Sequence, residues 1–444
     1  MTLQTKKLYL FDLIPLIKIT QTASSLKLYV LGIKIITLKN NKILFCGIPL
    51  FSFKSFSIIS KKILHYAINC PKKRNTIIIL DNILSENSEP LDSFTFFEYM
   101  TQQKNSPFKV YYIINVKNSH YPKLCEKYKD KIIAYPDKHF SPLRLIMLLR
   151  KTRYILECDQ KLMNLSPEIY KMLYKSKQIE LIFTQHGITF FKENFISPNV
   201  YGQNAFNKVM ISNDFEKEIF IRRGNYLPQN IIINGLFRWD RLLPATHNNF
   251  PKSIFVYFTY RRYLFRLSNM EKSVYIQTIT NFINHPKLKQ LLEENNIELN
   301  IAQHHVISKR NISIFKNIRL ISEEEIGTFK KKADLLVTDF SSMCFDFMVQ
   351  DKPVVFLRIP DAEDCCRYQY SQDTAEPWSG KEHLGFNVAE TVDECISKIE
   401  NYVRNDFRLS ANDKKIKQKF FAFPSSFCQR FYEYLEQNSN IGKE

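Results

Sequence analysis

The sequence predicts an α/β protein of two doubly wound parallel sheets in tandem, with a small β-appendage at its N-terminus. Three observations predict it. From Thr76 onward, short apolar runs alternate with polar, helix-compatible stretches, the pattern of βαβ units whose strands are buried on both faces. A second series of the same kind starts near Ser253. Ahead of both, Lys27–Lys39 is echoed by Lys42–Lys54 with Gly32 and Gly47 in register, so that each copy reads as strand, glycine bend, strand. The expected boundaries are 1–60 for the appendage, 61–245 for the first lobe and 246–444 for the second.

In the first lobe the expected strands are Ile77–Leu80, Val110–Ile114, Lys131–Ala134, Tyr154–Leu156 and Leu181–Phe183, followed by Asn207–Ser212 and Ile231–Asn234. The intervals between them suit crossover helices. In the second lobe they are Ile254–Thr259, Glu298–Ala302, Ile318–Leu320, Leu335–Thr338 and Val354–Leu357. Ser273–Asn284, Thr391–Asn405 and Asp413–Gln437 read as helical. The N-terminal repeat reads either as a plain β-appendage or as a basic, apolar platform that rests on a membrane or a partner.

A chain of 444 residues with 45% hydrophobic residues can bury more than one core. The formal charge of +19, from 63 basic and 44 acidic residues, predicts attraction to polyanions such as nucleic acid, anionic lipid or an acidic polymer. The lysines are scattered through the chain, which also fits a genome rich in lysine codons and argues against one nucleic-acid groove. The nine cysteines contain no Cys-x-x-Cys pair, and Cys365 and Cys366 are adjacent; reduced thiols in a cytoplasmic protein are expected. The N-terminus is not a convincing signal peptide, and the apolar run Ile43–Phe53 is far short of the ~20 residues that cross a bilayer. Any membrane attachment is therefore expected to be peripheral, at the inner face. With ten glycines and no Gly-x-Gly-x-x-Gly, a dinucleotide oxidoreductase is not indicated.

In doubly wound sheets, ligands bind beyond the C-terminal ends of the strands. His186 and Gly187 follow one such strand, and a histidine there suits a general base. Arg238 and Asp240 follow Ile231–Asn234 and either meet a phosphate or form an interdomain salt bridge. Arg261 and Arg262 follow Ile254–Phe258, and His304 and His305 follow Leu299–Ala302. Asp339, Ser341 and Ser342 follow Leu335–Thr338, where a helix would aim unpaired N–H groups at a phosphate. Each is a weak signal alone; their common position at strand ends suits transfer from a nucleotide diphosphate, with an imidazole taking a proton. No pair of acidic residues has metal-binding spacing, so no metal is expected.

The residues Thr184–Gly187, Gly235–Asp240, Thr259–Arg261, His304 and Thr338–Asp346, continuing through Lys352–Phe356 and Asp361, resemble the CDP-glycerol glycerophosphotransferase family of teichoic-acid and capsule enzymes. The resemblance covers about 76–403 and implies a GT-B-like fold. It also implies His186 as catalytic base, Arg261, His304, Ser341 and Ser342 on the donor phosphates, and Arg238 with Asp240 shaping the cleft. Phe237 stands where the family often has proline, His305 where it has proline, and Asp351 where it commonly has glycine. The expected function is transfer of glycerol phosphate, or a related polyol phosphate, from a CDP-linked donor to a hydroxyl of a cell-surface polymer or lipid-linked glycan, releasing CMP. The competing expectation is a GT-B glycosyltransferase using a nucleotide sugar. No cofactor beyond the donor and no nucleic-acid partner is expected.

Overall fold

The computed structural model describes residues 4–10, 14–22, 25–30, 33–39, 42–45, 48–51, 58–69, 74–80, 92–135, 142–158, 167–191, 206–243, 251–259, 261, 263–264, 267, 270–302, 320–361 and 384–439. Arg262, His304, His305, Cys365 and Cys366 lie outside the described residues. Strands β1 (Gln4–Leu10), β2 (Ile14–Thr22), β3 (Ser25–Val30), β4 (Ile33–Lys39), β5 (Lys42–Phe45) and β6 (Ile48–Phe51) form an antiparallel sheet in sequential order. The sequence repeat corresponds to β3–β4 and β5–β6.

The first lobe contains β7 (Thr76–Leu80), β8 (Lys109–Asn115), β9 (Ile132–Tyr135), β10 (Thr152–Glu157), β11 (Glu180–Phe183), β12 (Lys208–Ile211) and β13 (Ile231–Ile233). All pair in parallel, in the order β13-β12-β11-β10-β7-β8-β9. Strand β7 is fully buried, as its uninterrupted Thr76–Leu80 run requires for a strand covered on both faces. One core, around Ile78, Ile155, Leu181 and Val209, lies on one side of the sheet. Ile77, Phe96, Tyr112 and Leu156 belong to the core on the other. The chain winds outward from β7 to β9 and then from β10 to β13. Strand order therefore reverses between β7 and β10, which opens a crevice above their C-terminal ends.

The second lobe repeats the plan with β14 (Ser253–Tyr257), β15 (Glu298–Ala302), β16 (Leu320–Ile321), β17 (Leu335–Thr338), β18 (Val354–Leu357) and β19 (Val388–Ala389), in the order β16-β15-β14-β17-β18-β19. Here the reversal falls between β14 and β17. Strand β19 was not expected from sequence; two residues give no periodicity to detect. Ser273 and Thr391 cap the helices Val274–Asn284 and Val392–Arg404 by accepting from Ile276 N and Glu394 N, as short hydroxyl side chains do at N-caps.

The single helical region expected over Asp413–Gln437 is two helices, Ala411–Phe420 and Phe427–Asn438. Pro424 intervenes, and Ser426 has φ +64, a backbone that stops a helix. The last helix crosses back to the first lobe. Its Cys428, Phe431 and Leu435 pack with Phe96, Ile232 and Phe237. Between the lobes, Ile188, Phe190 and Trp239 from the first share a core with Phe340, Phe345 and Phe420 from the second.

Candidate functional site

Strand β11 delivers its chain into a tight reversal. Gln185 has φ +59, a left-handed backbone that costs a residue with a side chain roughly 1–2 kcal/mol. Its carboxamide fixes it there: Nε2 donates to Met210 O at 2.7 Å and Glu216 Oε1 at 3.2 Å, and Oε1 accepts from the Thr189 hydroxyl at 2.8 Å. Buried Glu216 also accepts from Thr189 N and from the amide and hydroxyl of Ser212. Burial raises its carboxyl pKa against those hydrogen bonds. His186 emerges exposed from this braced turn. Its Nδ1 lies 2.9 Å from Cys158 O, just beyond β10. A carbonyl oxygen only accepts, so Nδ1 carries a proton, and in the neutral ring Nε2 is the basic nitrogen.

The second lobe presents its own tip. Asp339 is buried and accepts from Thr259 N at 2.9 Å and Phe340 N at 2.7 Å through Oδ1, tying together the ends of β14 and β17. Its Oδ2 accepts from Arg261 Nη1 at 2.6 Å. Arg261 is 0% exposed; its Nε and Nη2 donate to the two oxygens of Asp361 at 2.7 and 3.2 Å, and its plane lies near the Phe340 and Tyr275 rings. Arg261, expected on the donor phosphates, thus has its guanidinium turned to Asp339 and Asp361. Carboxylates and rings enclose the guanidinium, and it braces the loops beneath the crevice. Asp339 shares that bracing position.

Ser341 follows, its hydroxyl accepting from Met343 N at 3.3 Å, and Ser342 immediately precedes the helix Met343–Met348 without a side-chain capping bond. The two tips touch: a Cβ added at Gly187 would lie 2.6 Å from Ser342 Oγ. His186 and the serine pair thus belong to one site, built where the reversal points of the two sheets face each other.

Arg238 joins the tips. Its Nε donates to Asp346 Oδ1 and Oδ2 at 2.9 and 3.1 Å, and its Nη1 donates to His186 O at 2.8 Å. Asp346, in the helix that follows Ser342, also accepts from Trp239 Nε1 at 2.9 Å and Lys330 Nζ at 2.8 Å. Burial acts to raise the Asp346 pKa, but the Arg238 and Lys330 charges outweigh it and hold the carboxyl at about 2. On the other side Asp92 accepts from Phe237 N at 3.1 Å and Arg238 N at 2.8 Å. Burial pushes its carboxyl up to about 6, with Arg238 opposing the shift.

Arg238 and Asp240 do not pair with each other. Asp240 instead accepts from Phe427 N at 3.0 Å and Cys428 N at 2.7 Å, capping the last helix. Among the described residues, no group of three or more His, Cys, Asp or Glu is placed to hold a metal ion. Sequence reasoning did not single out Gln185, Glu216, Asp92 or Asp346 as site residues. Gln185 and Asp346 lie inside quoted motifs, whereas Asp92 and Glu216 carry no local signal.

Residues 64–429 match the family described as CDP-Glycerol:Poly(glycerophosphate) glycerophosphotransferase. Over 337 residues the chain is 23% identical to the minor teichoic acid biosynthesis protein GgaB of Bacillus subtilis (strain 168), covering 72% of this chain and 35% of that protein. The chain thus spans about a third of that curated relative. Among solved structures, the wall teichoic acid polymerase TagF is similar at a TM-score of 0.53 and 16% identity, over 83% of this chain and 90% of that one. A putative UDP-N-acetylglucosamine 2-epimerase from Listeria monocytogenes has a TM-score of 0.53 at 12% identity, over 83% of this chain and 97% of that one. At such identities the likeness is one of fold: two Rossmann-like domains in a GT-B-like arrangement.

Proposed function

The chain belongs to the CDP-glycerol:poly(glycerophosphate) glycerophosphotransferase family, and on that premise we propose that it transfers glycerol phosphate, or a related polyol phosphate, from a CDP-linked donor to a hydroxyl of a cell-surface polymer or lipid-linked glycan. The observation that carries the reading is the contact of the His186–Gly187 tip with Ser342. It supports an exposed imidazole on one side of a donor and a phosphate-binding loop on the other.

The acceptor hydroxyl loses its proton to Nε2 of His186 as its oxygen attacks the phosphorus bearing the polyol. The bond from that phosphorus to the CMP oxygen breaks, and CMP leaves. The Cys158 carbonyl holds the ring in the tautomer this step needs and stabilises the imidazolium that forms. Ser341, Ser342 and the N–H groups of their loop are the proposed donor-phosphate ligands, with His304 and His305 beyond β15. Arg261 and Asp339 keep the ends of β14 and β17 at a fixed separation, and Arg238 holds the His186 main chain.

The net charge of +19 supports a place at the anionic inner face of the cell membrane. None of the described helices is long and apolar enough to cross a membrane. Incubation of the purified protein with a panel of CDP-polyols and nucleotide sugars tests the proposal. CMP release dependent on an acceptor hydroxyl supports it; release of a nucleoside diphosphate from a sugar donor replaces it with glycosyl transfer.

A further inference from the structure

One buried carboxylate ties the reversal that carries His186 to the neighbouring strand. Glu216 lies in the first turn of the helix Asp214–Arg222, which Asn213 caps by accepting from Glu216 N. A glutamate at that position ordinarily reaches back to the amide of the capping residue. Here it takes the amide one residue earlier, Ser212 N at 2.6 Å, together with the Ser212 hydroxyl at 2.7 Å, both through Oε2. Its Oε1 serves the reversal. It accepts from Gln185 Nε2 at 3.2 Å and Thr189 N at 2.7 Å, which stand on either side of His186 and Gly187 in the chain. Four bonds fill the acceptor sites of an ionised carboxylate, yet Glu216 is 0% exposed and all four partners are neutral. Burying a charge without a cation is unfavourable, so stability alone does not account for a carboxylate here.

We infer that Glu216 is a positioning residue for His186 in the proposed reaction, on which the inference rests. It clamps the 185–189 reversal to the end of β12 and so fixes the direction of the imidazole, without meeting substrate. A carboxylate suits the place because both of its oxygens accept. A glutamine at 216 offers one acceptor oxygen, and its amide N–H groups would face donors at the other end. The second link is Gln185, whose φ is +59 and whose carboxamide spans Met210 O, Glu216 and the Thr189 hydroxyl. Without those bonds the strain of a left-handed backbone goes uncompensated. The next residue is His186, whose Nδ1 sits 2.9 Å from Cys158 O, and a changed reversal redirects its ring. Misplacing a reacting group by about 1 Å can lower a rate by about a hundredfold. The proposed phosphate ligands lie on the other lobe, so the clamp acts on turnover and not on donor affinity.

The test uses the full chain. Glu216→Gln opens one end of the clamp. Gln185→Asn keeps an amide and tolerates positive φ, but its shorter side chain does not span the same partners. Glu218→Gln, at an exposed position on the same helix, is the control. Both clamp variants should release CMP at least about tenfold more slowly at saturating donor, while binding CDP-glycerol within about threefold of the parent. Nitrogen-labelled histidine NMR, with the His186 signals identified by their loss in His186→Ala, reads the ring directly. The neutral ring should carry its proton on Nδ1 in the parent and the control, and show mixed tautomers in both clamp variants. Turnover like the parent's, or an unchanged tautomer, in Gln185→Asn overturns the inference, as does lost turnover in Glu218→Gln. A lower urea midpoint with tautomer and turnover intact makes Glu216 a structural group and overturns it as well. Should Glu216→Gln fail to fold, Gln185→Asn decides alone. Absence of CMP release from the parent counts against the proposed reaction instead, and the ring signals still decide the clamp.

Discussion

Two adjacent residues divide the work where the lobes meet. In the proposed reaction His186 supplies the basic nitrogen, and Gly187 leaves the space, because a Cβ there would meet Ser342 Oγ at 2.6 Å. His186→Ala should lower turnover by at least about a hundredfold while leaving the affinity for CDP-glycerol within about threefold, read by single-turnover kinetics and calorimetry. Turnover like the parent's would remove His186 from the base role. Gly187→Ala forces the Ser342 hydroxyl aside and should cost about 1–2 kcal/mol of stability, measured by urea unfolding. Adding Ser342→Ala should return most of that stability, because it removes the clashing atom. Donor affinity should remain low in the double variant if Ser342 is a phosphate ligand. Recovery of both together would assign Ser342 a packing role only.

At the scale of elements, the sites follow from which strands end beside one another. The apolar runs and the residues after them were legible in the sequence because a strand buried on both faces leaves a short, uniform signal. Strand order was not legible, since no local pattern records that β10 returns beside β7 or that β17 lies beside β14. The partners of Arg238 were equally hidden. Asp92 and Asp346 are separated from it by more than a hundred residues, and only the fold brings them together. One departure from the family pattern gains a physical reading. Asp351, standing where glycine is common, has φ +59, a conformation that glycine adopts without a Cβ penalty. Asp351→Gly should therefore be more stable than Asp351→Ala by about 1 kcal/mol, since both lose the exposed ion pair with Lys417. The last helix depends on a similar local arrangement. Asp240→Ala leaves the Phe427 and Cys428 amides without their acceptor and should cost about 1–2 kcal/mol, seen as a lower urea midpoint.

The whole molecule is held in one arrangement by charge as well as by its shared apolar core. Arg238, with Asp92 from its own lobe and Asp346 from the other, makes the junction sensitive to pH, and the two carboxylates respond in opposite directions. The Asp346 pKa is held at about 2, below an ordinary aspartate, because Arg238 and Lys330 outweigh its burial. The stability it contributes is present above about pH 4 and disappears as pH falls toward about 2. The Asp92 pKa is raised to about 6 because burial opposes its charge. The folded state therefore gains a proton that the unfolded chain does not hold between about pH 6 and about pH 4, and Asp92 makes the protein more stable as pH falls through that window. The shift corresponds to roughly 3 kcal/mol. Asp92→Asn removes the titration, whatever it costs in hydrogen bonding at every pH. The difference in urea-unfolding free energy between parent and variant should consequently move by roughly 3 kcal/mol in the parent's favour from about pH 7 to about pH 4. A difference that stays constant across that interval would mean that Asp92 is charged throughout and that Arg238 neutralises it as fully as it does Asp346.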